Sequence, residues 1–285
     1  MTATSATPVT ASTTITARTA RERTHGTRPP RAFTLATGIR ISGQVAVVLA
    51  ILGLVQWLVD SGRVAPIYLA SPTQVIARFP VLLTEHNLLQ HTGITLWAGL
   101  VGTTLGIVVG VGLGIWLGLS RGAEKFFSPF VSAIYAIPKV TLIPLLTLYL
   151  GIGIDHKIAV VFLFSVFVPL FNTISGIKNV EEKHLKVARS YGARRAQIIR
   201  TVILPSAAAS IVTAIRIETA GIVVITIFAE MIASQGGIGY LVQRAVGLYD
   251  TPSLFALIIY VTLIAVALIS IVNALERRFL LRWQR

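Results

Sequence analysis

The stretch KVARSYGARRAQIIRTVILP, Lys186 to Pro205, carries five cationic side chains and no acid. It lies between two of the most apolar runs of the chain, 158–177 and 206–233. On a helical wheel Val187, Tyr191, Ile198 and Val202 cluster in one quadrant, with Ala188 and Ile199 at its edge. Arg195 falls inside that apolar arc, and Gly192 interrupts the pattern. Glycine is a poor residue for a helix interior. The pattern therefore predicts two short helices meeting near Gly192, the second running through Leu204-Pro205 into the next apolar run. A basic helix lying on a membrane surface is the plainer alternative. Arg195 and the glycine break spoil the continuous apolar face it needs, and a docking knob for a cytoplasmic partner fits better.

The composition around this stretch sets the class. Of 285 residues, 54% are hydrophobic and 13% charged, against about 25% charged in soluble domains. Six runs, roughly 41–59, 92–119, 129–150, 158–177, 206–233 and 254–275, are long and apolar enough to cross a ~30 Å hydrocarbon layer. The first, with Gln44 and Gln56, is the weakest. The chain reads as an all-α integral membrane protein. Cysteine is absent, which excludes disulfides and thiolate chemistry. Residues 1–39 are rich in Thr, Ala and Arg, with Glu22 the one acid. Such composition can mark a transit peptide. Pro29-Pro30 and the Thr clusters form no amphipathic face, so a disordered basic tail is expected, followed by a membrane domain over 40–285.

The net charge of +14 fits membrane topology better than nucleic acid. An even number of spans places both termini on one side, and that side collects nineteen of the 25 Lys and Arg. The opposite side receives Arg63, Arg78, Lys157 and Arg244, while Lys139 and Arg216 fall within spans. The asymmetry predicts both termini in the cytoplasm.

Within the second run Ala98, Gly102, Gly106, Gly110, Gly114 and Gly118 recur every fourth residue. Such a groove favours close helix crossing, either inside one subunit or at a mobile or dimer contact. Proline should break the third run at Pro138 and Pro144 and the fourth at Pro169. GIGID at 151–155 and GGIGY at 236–240 read as short turns on the outer side. Four charges lie in or beside spans: Lys139, Arg216, Glu218 and Glu230. Intramembrane charges face protein or water. Arg216 and Glu230 can face one side of a helix, but roughly 21 Å apart along it they cannot pair directly, so each needs a partner elsewhere. Structural pairing is expected for both, whereas Lys139 fits an ion pair or attraction of an anion equally. His86, His91 and His156 are scattered near outer loops and expected to be solvated, with no metal-site spacing.

The basic stretch resembles the cytoplasmic loop of permeases of binding-protein-dependent ABC importers. That motif reads Glu-Ala-Ala, three residues, Gly, nine residues, Ile-x-Leu-Pro; here stand Lys186-Val187-Ala188, Gly192 and Val202-Ile203-Leu204-Pro205 at the same spacing. Lys replaces Glu, and Val replaces the first Ala and the Ile. From about residue 69 onward, LASPTQVIARF, IPKVTLIPLLTLYLGIG, FAEMIASQGGIGYLVQRA and LERRFLLRW are similar to the subfamily importing sulfonates, taurine, nitrate and related small anions. The resemblance implies a type I importer permease fold of six transmembrane helices in the bacterial inner membrane. It implies a homodimer, two cytoplasmic ATPase subunits that hold ATP and Mg, and an extracytoplasmic solute-binding protein. Lys186, Val187, Ala188, Gly192, Leu204 and Pro205 then belong to an ATPase-coupling loop over 178–205, and the chain itself is non-catalytic, without cofactor or metal. The chain carries no Gly-x-x-x-x-Gly-Lys-Ser/Thr phosphate loop, in keeping with a nucleotide held elsewhere. The alternative is an ion-coupled secondary transporter working without an ATPase. It would need mid-membrane acids and usually an internal repeat; Glu218 is the one candidate acid, and no repeat is visible.

Overall fold

The structure is a computed structural model that describes residues 32–280, with side chains described over 42–274. The tail expected over 1–39 lies outside the described residues as far as residue 31. The chain divides into two compact units, 1–51 and 52–285. The described part of the first is the N-terminal portion of α1 (Ala32–Asp60), whose Val45, Val47, Val48 and Leu49 are all exposed.

The second unit is built from α2 (Pro72–Thr84), α3 (Leu88–Leu119), α4 (Arg121–Ala136), a 3₁₀ turn (Lys139–Leu142) and α5 (Ile143–Leu150). Then follow α6 (Ile154–Ser165), α7 (Phe167–Lys178), α8 (Glu182–Ser190), α9 (Arg195–Ile198), a π turn (Ile199–Ile203), α10 (Leu204–Ile232), α11 (Ile238–Gly247) and α12 (Thr251–Leu280). Among the described residues five helical stretches suffice to cross a membrane: Ser42–Asp60, Leu88–Leu119, Ile154–Lys178, Arg195–Ile232 and Thr251–Ala274. Arg121–Ala136 with Lys139–Leu150, bent by 80°, makes a sixth. These match the six expected runs.

Proline explains the breaks. Pro138 disfavours helical backbone at the residue before it, and Ile137 is extended at φ −65°, ψ 128°. Pro144 starts α5, where no donor is needed, so it begins a helix rather than breaking one. Pro169 has no N–H for the Ser165 carbonyl, and α6 gives way to α7 at Val166.

The centre of the bundle is α3, packed on α6, α7 and α10. Its glycine ladder faces the broken span. A Cβ on Gly102 would lie 2.7 Å from Val161 Cβ and 2.8 Å from the Ile158 carbonyl oxygen, and one on Gly114 2.6 Å from Thr173 Cβ. Of the two uses expected for the ladder, the structure shows tight packing within one chain. Two helices were not anticipated. In α2, Ser71 and Gln74 form a capping box, a signature present in the sequence. In α11, the segment read as an outer turn continues as a helix that buries Ile238, Leu241, Val242 and Ala245 against α2 and α12. Asp250 links these elements. It accepts from the Ser253 backbone N–H (3.2 Å) and hydroxyl (2.7 Å) and pairs with Arg78 of α2 at 3.2 Å. Burial alone would raise its carboxyl, but the bonds from Ser253 and Arg78 outweigh it and hold Asp250 below the usual carboxylate range.

At the α10–α11 corner the chain buries an ion pair. Lys157 of α6 and Glu230 of α10 meet at 3.2 Å with side chains 5% and 0% exposed. Every oxygen of Glu230 is satisfied: Oε1 takes Lys157, Oε2 takes the Gly239 N–H at 2.9 Å, and the Thr95 hydroxyl reaches both. Lys157 also donates to the Gly236 carbonyl. Thr95 accepts from the Ile238 N–H, and His91 Nδ1 accepts from the Gly237 N–H, both at 2.8 Å. Gly237 stands at φ +101°, with Glu230 where a Cβ would go. This irregular corner thus keeps its backbone groups bonded where lipid would offer no partner.

Two outcomes are expected from unfolding in detergent micelles. Gly102→Ala lowers stability by about 1–3 kcal/mol through overpacking, while Gly112→Ala on the same helix, where a Cβ meets nothing within 4 Å, is neutral or stabilising. Lys157→Ala, which strands a buried carboxylate, costs about 3–5 kcal/mol, and Lys157→Met combined with Glu230→Gln costs less than the sum of the two single changes.

Candidate functional site

The elbow at 178–205 has the expected form: α8, a sharp turn, and α9 leading into the fifth span. The turn is a Schellman motif. Gly192 N–H donates to the Arg189 carbonyl (2.9 Å) and Ala193 N–H to the Ala188 carbonyl (3.1 Å), with Gly192 at φ +74°. Only glycine holds that left-handed position without a Cβ penalty. Past the turn, the Gln197 side chain accepts from the Arg194 N–H at 2.8 Å. Pro205 cannot donate to Thr201 and its ring crowds that carbonyl; the chain widens into the π turn just before it. Leu204 and Pro205 therefore sit at a continuous junction between the elbow and α10.

Arg195, out of place on the apolar arc, has a definite use. Its guanidinium donates to the Leu119 carbonyl at the C-terminus of α3 at 3.4 Å, where unpaired carbonyls attract a cation. A second tie joins Lys178 at the end of α7 to Glu124 at the start of α4. Lys186 pairs with Glu182 at 3.4 Å, but both side chains are more than three-quarters exposed, so the pair contributes little. Val187 and Tyr191 are 55% and 87% exposed. The elbow thus presents an apolar knob among cations, anchored through Arg195 and Lys178 to the transmembrane bundle.

The intramembrane charges separate into three environments. Lys139 lies in the 3₁₀ turn after the α4 break, its Nζ 4.3 Å from the Tyr135 ring centre, 5.1 Å from Phe167 and 5.9 Å from Phe164. Glu218 on α10 is 4% exposed; it interacts with the Ser165 hydroxyl and lies within electrostatic reach of Lys139. Arg216 is exposed whereas Glu230 is buried, although both stand on the one continuous helix α10. The partner of Glu230 is Lys157, which charge counting assigned to an outer loop. The histidines also differ from expectation. His156 is fully buried with Nε2 2.9 Å from the Thr147 hydroxyl, and His91 belongs to the corner network. Among the described residues no group of three His, Cys, Asp or Glu could hold a metal ion.

Comparison with known proteins agrees with this architecture. Residues 102–281 match the family described as binding-protein-dependent transport system inner membrane component. The chain is 37% identical over 220 residues to the riboflavin transport system permease protein RibX of Chloroflexus aurantiacus, covering 76% of this chain and 80% of that one. It is 36% identical over 229 residues to the putative aliphatic sulfonates transport permease protein SsuC of Escherichia coli, covering 80% and 84%. To the taurine transport system permease protein TauC of the same organism it is 29% identical over 237 residues, covering 81% and 86%. Among solved structures, the inward-facing MetNI methionine ABC transporter superposes with TM-score 0.53 at 22% identity, covering 69% of this chain and 98% of that one. That likeness supports the fold alone. Spans, elbow spacing and family match converge: the chain belongs to the binding-protein-dependent transport system inner membrane components, the membrane-spanning permease subunits of ABC importers.

Proposed function

We propose that this chain forms, as a homodimer, the translocation pathway for a small anion of the sulfonate, taurine or nitrate kind. Two ATPase subunits bind ATP and Mg on the cytoplasmic side, and an extracytoplasmic protein delivers the solute. The chain itself is non-catalytic, and both termini lie in the cytoplasm, as its Lys and Arg distribution favours. The observation that carries this reading is the elbow: an exposed apolar knob on α8, turned at a left-handed Gly192 and joined without interruption to α10. An ATPase that grips Lys186, Val187, Ala188 and the Gly192 turn moves α10 through Leu204 and Pro205. The similarity to the sulfonate and taurine permeases supports the anion class. The likeness to the riboflavin permease is a reminder that a delivery protein can set the cargo.

The test is uptake of radiolabelled taurine, ethanesulfonate and nitrate into vesicles holding the chain with its ATPase and binding protein. Uptake of one of these is expected only with ATP and all three proteins. Gly192→Val, forced from the left-handed region at a cost of about 1–2 kcal/mol, lowers that uptake roughly tenfold without reducing the amount in the membrane. Uphill uptake by the chain alone, or undiminished uptake by Gly192→Val, overturns the reading.

A further inference from the structure

The elbow has a second face, distinct from the exposed knob of Val187 and Tyr191. Leu185 and Arg189 stand one helical turn apart on α8 and so share a side of it. With Leu119, Arg195, Ile199 and Ile203 they line a cleft of about 390 Å³ between the elbow and the bundle, a size typical of small-molecule sites. The cleft lies where two spans end. Leu119 closes α3, which is apolar to its last residue, and Arg195 opens the spanning stretch Arg195–Ile232. The end of an apolar span is where hydrocarbon gives way to headgroups. Among the described residues neither Arg189 nor Arg195 belongs to an ion pair. Arg195 donates to the Leu119 carbonyl, but a guanidinium has five donors and keeps most of them. No Asp or Glu stands between Glu182 and Glu218, so this part of the chain brings no acid of its own to the two cations.

We propose that this cleft binds an anionic phospholipid, its phosphate taken by Arg189 and Arg195 and the upper part of an acyl chain laid on Leu185, Ile199 and Ile203. Charge alone would attract any anion, and the apolar wall selects among them. A free phosphate leaves that wall wet, whereas a phospholipid brings phosphate and hydrocarbon in one molecule. Planar guanidinium forks match phosphate oxygens, and basic pockets at the ends of membrane helices suit acidic headgroups. A protein partner has the exposed knob to grip, away from the cleft. Arg189 belongs to α8, while Arg195 belongs to α9 and is tied to the end of α3. One bound lipid therefore fastens both halves of the elbow to the bundle and leaves the knob free.

The full chain, purified in detergent, is titrated with dioleoyl phosphatidylglycerol or dioleoyl phosphatidylcholine, and bound lipid is counted by native mass spectrometry. The first phosphatidylglycerol is expected to bind about 25-fold more tightly than phosphatidylcholine, about fivefold for each of two cations near the headgroup. Arg189→Gln and Arg195→Gln each weaken it about fivefold, while Arg195→Lys keeps the charge, retains the binding and reports an intact elbow. Lys183→Gln removes the same charge from α8 outside the cleft and leaves binding unchanged. Glycerol 3-phosphate, the headgroup phosphate without an acyl chain, does not displace the lipid at equal concentration. Equal affinity for the two lipids, an equal loss in Lys183→Gln, or displacement by glycerol 3-phosphate overturns the proposal. So does an Arg189→Gln chain that binds the lipid normally but loses co-purification with the ATPase subunit, which gives the cleft to a protein partner. The titration contains neither ATPase nor solute, so its failure leaves the transport reading standing.

Discussion

Apolar helices in lipid gain little from burying their apolar faces against one another, so contact distance decides what holds them together. In this chain the deciding contact is α3 against the broken span α6–α7. Gly102 and Gly114 bring the α3 backbone to where a single methyl would collide with Val161 and Thr173. Dispersion forces rise steeply as backbones approach, and the ladder repeats the contact along the length of α3. The remaining elements depend on it. The α4–α5 break, the corner network and the elbow tie are all anchored to α3, α6, α7 or α10.

Much of this was legible in the sequence, and the limits have physical causes. Long apolar runs announce spans because lipid demands length; the elbow announced itself by spacing and by a glycine that a continuous helix would not keep. Helix α2 escaped notice although Ser71-Pro-Thr-Gln74 spells its capping box, since its apolar residues alternate with Arg78 and Pro80 and fall short of a span. Helix α11 was hidden by the glycines at 236, 237 and 239, which read as a turn, whereas Gly237 and Gly239 serve close approach to Glu230 and the Ile227 carbonyl. Lys157–Glu230 was invisible because the partners are 73 residues apart, and charge counting treats every cation near a span end as a loop residue. Arg195 looked like a flaw in an amphipathic pattern because its acceptor, the Leu119 carbonyl, belongs to a distant helix end.

The two ends of the bundle solve the problem of polar groups by different means. At the corner, an ion pair, two hydroxyl or imidazole acceptors and several backbone donors close on themselves, and little is left for solvent. At the elbow, Tyr191, Val187 and Lys186 are left open. A closed network resists movement because each bond lost strands a partner. An open surface has nothing to lose by engaging another protein. One end is thus closed on itself, and the other keeps its apolar and cationic side chains open.

Helix α10 connects these ends. Its 29 residues extend about 43 Å, with the π turn and Pro205 at one end, Glu230 at the other, and Glu218 near the middle. A helix of continuous i to i−4 bonds transmits displacement along its axis with little internal give, whereas a π turn is a place where such bonds already tolerate an irregular geometry. The irregular geometry lies at 199–203, and regular bonding follows it. The far end is clamped through Lys157, Thr95 and Gly239. Glu218 thus lies on the regular segment between the π turn and the clamped corner, whereas Lys139 stands in the turn between α4 and α5.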